Sequence, residues 1–139
     1  MLLTGTHPRT LDDKKRLVLP KRVREQLGEP TLLYATPGPE RSVWLFTQEG
    51  LERQADRLDQ ASAADADARV FRRLYFAQTE GVDVDKAGRI LLPDRLVSLA
   101  GLDHEVVLLG VRDHLELWDA KHWQQYVEQH AAGFEKRVE

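Results

Sequence analysis

The stretch that decides the fold is "DKAGRILLPDRL", residues 85–96, because "DDKKRLVLPKRV", residues 12–23, says nearly the same thing. Each begins with an Asp four places before an Arg. Three apolar residues follow, then a Pro, then a second Arg two places on. Aligning 12–28 with 85–101 gives six identities in seventeen positions: Asp, Arg, Leu, Pro, Arg and Gly. Positions 17, 18 and 23 also face 90, 91 and 96 with apolar for apolar. The likeness runs on, with "SVWLFTQEGL" (42–51) answering "LELWDAKHW" (115–123), Phe46 facing Trp118 and Thr47 facing Asp119. A likeness of this length marks an internal duplication of about 45 residues per half.

Each half predicts the same elements. A short strand comes first, near 6–11 and 79–84, with Pro8 restricting the first to a sheet edge. A tight turn follows at 13–15 and 86–88, where Gly88 can take positive φ. The turn leads into "RLVL" and "RILL", short β-type runs, so a hairpin is expected in each half. Pro20 and Pro93 fit helix starts, and Gly28 and Gly101 fit the position past helix ends, which brackets helices 21–27 and 94–100. Strands 31–36 and 42–46 are then joined by "PGPER", and 105–111 and 114–118 by the tighter "RDH". Thr47 and Asp119 suit helix N-caps. Leu51, Ala55 and Leu58 recur at helical spacing, as do Trp123, Val127 and His130. The segment "DQASAADADARVFRRLYFAQ" between the halves reads as weakly structured or helical at first, then as one or two amphipathic turns at "VFRRLYF".

The totals bound the function. A chain of 139 residues suits one compact domain or two small fused halves. Without Cys there are no disulfides and no thiolate metal sites. The start "MLLTGTHPRT" has no signal-peptide pattern, and no apolar run approaches about 18 residues, so a soluble cytoplasmic protein is expected, with no membrane role. The net charge is −3, yet residues 9–24 hold Arg9, Lys14, Lys15, Arg16, Lys21, Arg22 and Arg24 against Asp12 and Asp13. That is a local +5, leaving −8 for the remainder. A basic face on an acidic body is the footprint of phosphate binding. A two-stranded ribbon fits the DNA major groove, and a guanidinium grips phosphate or the guanine edge in bidentate fashion.

Enzymatic chemistry finds no support. Ser42, Ser62 and Ser98 lack activating neighbours, and there is no phosphate-binding loop or dinucleotide fingerprint. The five His, at 7, 104, 114, 122 and 130, form no ligand pattern. Asp83, Asp85 and Gly88 begin like a calcium loop, but Ala87 and Asp94 stand where an oxygen ligand and a Glu belong. No catalytic residue, metal, cofactor or small-molecule substrate is expected.

"LDDKKRLVLPKRVREQLG" and "VDKAGRILLPDRLVSLAGL" resemble the paired Asp-x-x-x-Arg motifs of the MraZ family, bacterial transcription regulators with two tandem SpoVT/AbrB-type elements. "FRRLYFAQTEGVDVDKAGRILLP" and "ELWDAKHWQQYV" are similar to that family's middle and closing segments, so the resemblance covers about residues 5–130. It implies an α+β fold: a β-rich, swapped-hairpin (AbrB-like) barrel of two pseudo-symmetric repeats with short flanking helices. The repeats would occupy 5–50 and 79–124, with a helical connector at 51–78 and a C-terminal helix and tail at 125–139. It implies a repressor of its own division and cell-wall gene cluster, working on the nucleoid as a closed homo-oligomeric ring on short direct repeats in double-stranded promoter DNA. Carried over by position, the DNA-binding residues are Asp12, Lys14, Lys15 and Arg16, then Asp85, Lys86 and Arg89. The family's first motif usually has Gly before its Arg, where this chain has Lys15; if the turn needs positive φ, Lys15 is strained by about 1 kcal/mol. The alternative function is an AbrB-like antitoxin or another partner-binding module. A short tail, "AAGFEKRVE", and two fused copies weigh against the antitoxin.

Overall fold

The computed structural model describes residues 1–60 and 64–139, so Ser62 and part of the segment between the halves lie outside the described residues. The elements run β1 (Thr6–Thr10), β2 (Arg16–Val18), α1 (Lys21–Gln26), β3 (Leu32–Gly38), β4 (Ser42–Phe46) and α2 (Gln48–Asp59). They continue α3 (Ala66–Ala77), β5 (Glu80–Asp83), β6 (Arg89–Leu91), α4 (Asp94–Ala100), β7 (Glu105–Val111), β8 (His114–Asp119) and α5 (Ala120–Val138). This is an α+β fold with antiparallel strand pairing throughout.

The strands of the two halves interleave. Six strands form one sheet in the order β1-β7-β8-β4-β3-β5, and β2 pairs with β6 in a separate ribbon. Exchange each strand for its counterpart in the other half and the sheet order reads backwards. The register obeys the same rule: Thr10 faces Glu105, and 73 residues away in each half Asp83 faces Leu32. Leu17 and Ile90, themselves counterparts, face one another at the centre of the ribbon. A pseudo-two-fold axis therefore passes through the ribbon and between β4 and β8.

The expected hairpins do not form. β1 leaves for β7 and β5 for β3, while β2 and β6 turn to each other. Three residues are too few for an isolated hairpin. Pairing across the axis instead buries Leu17 and Ile90, 0% and 1% exposed, over the core. The sheet keeps two edges, β1 and β5, and the strand pairings do not close a barrel. Pro8 sits on edge strand β1, where a missing donor costs least.

The core beneath the ribbon gathers Leu19, Val23, Leu33, Leu45, Leu92, Leu96, Leu108 and Leu117 from both halves. On the other face of β7 and β8, Val107, Leu109 and Trp118 pack under Ala120, Trp123 and Tyr126 of α5. This explains why β7 is buried at four consecutive positions rather than alternately.

Pro20 and Pro93 precede α1 and α4, and Gly101 closes α4 at φ +62. Thr47 caps α2 by accepting from Gly50 N. Asp119 precedes α5 without bonding its first turn; its Oδ1 accepts from Asp103 N at 3.2 Å. "VFRRLYF" belongs to a helix of twelve residues, longer than expected. Asp65 caps it, accepting from Asp67 N and Ala68 N, and Tyr75 is its buried residue. The "PGPER" loop shrinks because β3 runs on to Gly38, leaving Glu40 and Arg41 to turn at positive φ.

Candidate nucleic-acid interface

The two Asp-x-x-x-Arg turns are built identically. Asp12 Oδ1 accepts from Lys14 N at 2.9 Å and Arg16 N at 2.8 Å, while Oδ2 takes the Arg16 Nε–H at 2.8 Å. Asp85 Oδ1 accepts from Ala87 N and Arg89 N, each at 2.9 Å, and Oδ2 takes the Arg89 Nε–H at 2.9 Å. The carboxylate ties the turn as a side chain mimicking backbone. The Asp12 pKa is lowered first by the Arg16 backbone N–H, against the opposing effect of desolvation, and then by the Arg16 side chain and Lys14 N. Asp85 is lowered in the same way through Arg89 and Ala87. Both aspartates therefore remain ionised to lower pH than a free carboxyl.

Backbone bonds lock the turns to the opposite half. Leu92 N donates to Lys15 O at 2.9 Å, and Leu19 N to Gly88 O at 2.8 Å. The turns thus sit at the two ends of the ribbon rather than as side-by-side tips. The four side chains Arg16, Val18, Arg89 and Leu91 alternate with buried Leu17 and Ile90, so they share the outer face. Across that face the two arginines lie on a diagonal, about 7–8 Å apart between Cα atoms. Both are partly exposed, 40% and 46% at the side chain. Each spends its Nε on its aspartate, which fixes the plane of a partly exposed guanidinium.

All seven residues predicted from the sequence fall in these turns: Asp12, Lys14, Lys15 and Arg16 at one end, Asp85, Lys86 and Arg89 at the other. Lys14 and Lys86 are exposed; Lys15 is half-buried. Lys15 holds φ +65 where Gly88 holds φ +79, so the first turn keeps the left-handed shape with a side chain on it. Replacing Lys15 with Gly should therefore raise stability by roughly 0.5–1 kcal/mol, the strain removed less the added freedom of the unfolded chain. Urea denaturation checks this, and a variant less stable than the parent would show that Lys15 is not strained.

Sequence reasoning missed Arg24. It lies on α1 of the first half, yet its side chain rests on the Gly88 turn of the second: a Cβ at Gly88 would stand 2.6 Å from Arg24 Nε. That Nε is buried without a hydrogen-bond partner. The position 73 residues on is the buried Val97, which contributes no charge. The turn lacking a lysine beside its Arg thus receives a cation from the other half. The basic run 9–24 contained Arg24, but nothing in its spacing showed that it crosses the axis.

Among the described residues no three His, Cys, Asp or Glu side chains group as metal ligands. Among the same residues no helix is long and apolar enough to cross a membrane.

Comparison with known proteins agrees with this duplicated architecture. The family model described as "MraZ protein, putative antitoxin-like" matches twice, over residues 2–74 and 75–139. A protein of Kocuria rhizophila named "Transcriptional regulator MraZ" is 36% identical over 138 residues, 99% of this chain and 95% of its own length. One of the same name from Thermomicrobium roseum is 36% identical over 131 residues, covering 94% and 91%. Another from Moorella thermoacetica is 33% identical over 138 residues, covering 99% and 95%. With both halves matched in tandem and relatives aligned nearly end to end, the chain belongs to the MraZ family.

Proposed function

We propose that this protein is a sequence-specific, DNA-binding transcription regulator, and that it represses its own division and cell-wall gene cluster by binding short direct repeats in the promoter. The observation carrying this reading is the pair of aspartate-held arginines on one outward face of the ribbon. A guanidinium held through Nε is pre-oriented for the O6/N7 edge of guanine, and a two-stranded ribbon has the width of the major groove. Asp12 and Asp85 orient; Arg16 and Arg89 read; Lys14, Lys15 and Lys86 hold phosphates. The relatives' printed name, a transcriptional regulator, supports the same reading.

Two reading arginines give few base contacts, so a single protomer binds weakly. A closed ring of protomers, placed over tandem repeats, multiplies affinity through effective concentration. The cytoplasm, on the nucleoid, is where such a protein works. The interleaved strands support an AbrB-like swapped-hairpin arrangement with repeats at 5–50 and 79–124. An antitoxin is the second reading, favoured by the words of the matched family model. A small toxin gene beside this one, rather than division genes, would favour it.

Footprinting on the DNA immediately upstream of the protein's own gene tests the proposal directly, with protection of spaced direct repeats expected. Binding should also weaken with salt. If Lys14, Lys15 and Lys86 each neutralise one phosphate, log K against log salt falls with a slope of about −2.7, from about −0.9 per phosphate. A flat salt response would remove phosphate contacts from the mechanism.

A further inference from the structure

The ribbon's outer face holds two side chains that neither the core nor the arginine turns explain. Leu91 is 60% exposed and Val18 is 40% exposed, at the two ends of a ribbon whose central pair, Leu17 and Ile90, is almost fully enclosed. Leu91 lies directly opposite Arg16, and Val18 directly opposite Arg89. Opposed residues on an antiparallel pair stand about 4.5–5.5 Å apart at Cβ. Each arginine therefore has an apolar cross-strand neighbour from the other half on the ribbon's outer face.

We propose that Leu91 and Val18 read thymine 5-methyl groups adjacent to the guanines gripped by Arg16 and Arg89. This rests on the reading of the ribbon as a major-groove element. The major-groove edge presents one apolar group, the thymine methyl, beside the acceptors of guanine. Successive bases rise about 3.4 Å along a strand, so a side chain paired with the reading arginine reaches the neighbouring step rather than the same base. A protein surface met only by phosphates would gain nothing from Leu91 and Val18, and water would disfavour them. The two ends are not equal: Leu91 is longer than Val18, so the Arg16 end should depend more on the methyl.

The test uses the full-length protein and the promoter fragment protected upstream of its own gene. Thymines in the protected repeats are replaced one at a time by deoxyuridine, which removes only the methyl. Parent protein should lose on the order of 3- to 5-fold in affinity at each contacted thymine, the worth of burying one methyl-sized group. Leu91→Ala and Val18→Ala should bind the thymine fragment more weakly, Leu91→Ala by the larger factor, and be indifferent to uracil at their own position. That non-additive pattern assigns the contact, since a general effect on DNA shape would persist in the variants. Both side chains are exposed, so both variants should fold, which circular dichroism verifies.

Equal affinity of the parent for thymine and uracil fragments, with specific binding retained, would overturn the methyl contact alone. Loss of any specific promoter binding by the parent would overturn it together with the DNA-reading proposal. A changed oligomeric mass in the alanine variants, with the parent indifferent to uracil, would assign the face to a second copy of the chain and overturn the inference as well.

Discussion

Replacing both Arg16 and Arg89 with Ala should reduce specific promoter binding by at least about thirtyfold while leaving the fold in place. Each bidentate arginine–guanine contact is worth about 1–3 kcal/mol, and two such losses sum to about 2–6 kcal/mol if they act independently. The two side chains lie on a diagonal of one short ribbon, close enough to couple, so the double variant must be compared with both single variants. Folding should survive because both ion pairs are partly exposed, and exposed pairs contribute little. Asp12 and Asp85 also keep their bonds to Lys14 N, Ala87 N and the backbone of residues 16 and 89, so the turns remain tied. The sharper variant is Arg to Lys at both positions. It keeps charge and loses the fork, so non-specific binding should persist as specificity falls. Equilibrium titration on promoter and scrambled fragments separates these terms. Unchanged preference for the promoter in the double alanine variant would eliminate the proposed role of the arginines.

The repeat itself was legible because a duplication writes its elements twice. Pro20 with Gly28, and Pro93 with Gly101, bracketed two helices from punctuation alone. The two aspartate–arginine turns were equally readable, since a four-residue spacing lets a carboxylate tie its own turn. What escaped was everything carried by contacts between halves. Alternation along "RLVL" and "RILL" describes one strand; it does not say that β2 abandons β1 for β6, because either pairing would bury Leu17. The side chain of Arg24 crosses the axis for the same reason, and no local pattern records a partner about sixty residues away. The α3 helix ran longer than its apolar signal. Asp65 caps it ahead of the apolar run, and Tyr75 is its buried residue.

His114 also lay outside any pattern legible in the sequence, and its removal should be strongly destabilising. It lies at the start of β8, 8% exposed at the side chain, with its ring stacked on Trp44 at 3.9 Å between centroids. Nδ1 stands 2.9 Å from Asp113 Oδ1, and Nε2 stands 2.8 Å from Glu116 Oε2. Asp113 also receives Arg57 Nη2 at 2.9 Å, and Glu116 receives the Trp118 indole N–H at 3.0 Å. Burial opposes charging of the ring, but hydrogen bonds to Glu116 and then Asp113 outweigh it, so the His114 pKa is raised above 6.5. The His114 hydrogen bond is the largest influence on Asp113, and against partial desolvation it, with Arg57, holds that carboxyl at about 2. His114→Ala removes a cation between two carboxylates and leaves a gap beside Trp44, a loss of about 2–4 kcal/mol. The sign with pH follows from the two shifts. The His114 contribution is complete below the unfolded value near 6.5 and fades as pH rises through the higher folded value. The Asp113 contribution is complete above 3.8 and fades as pH falls toward about 2. The stability gap between parent and His114→Ala should therefore be widest between about pH 4 and 6.5 and narrow on the alkaline side. Urea unfolding from pH 4 to 9, at one fixed protein concentration because assembly adds to apparent stability, measures that gap. A gap that stays constant across the alkaline limb would mean the ring is neutral in the fold, held by stacking on Trp44 rather than by its two carboxylates.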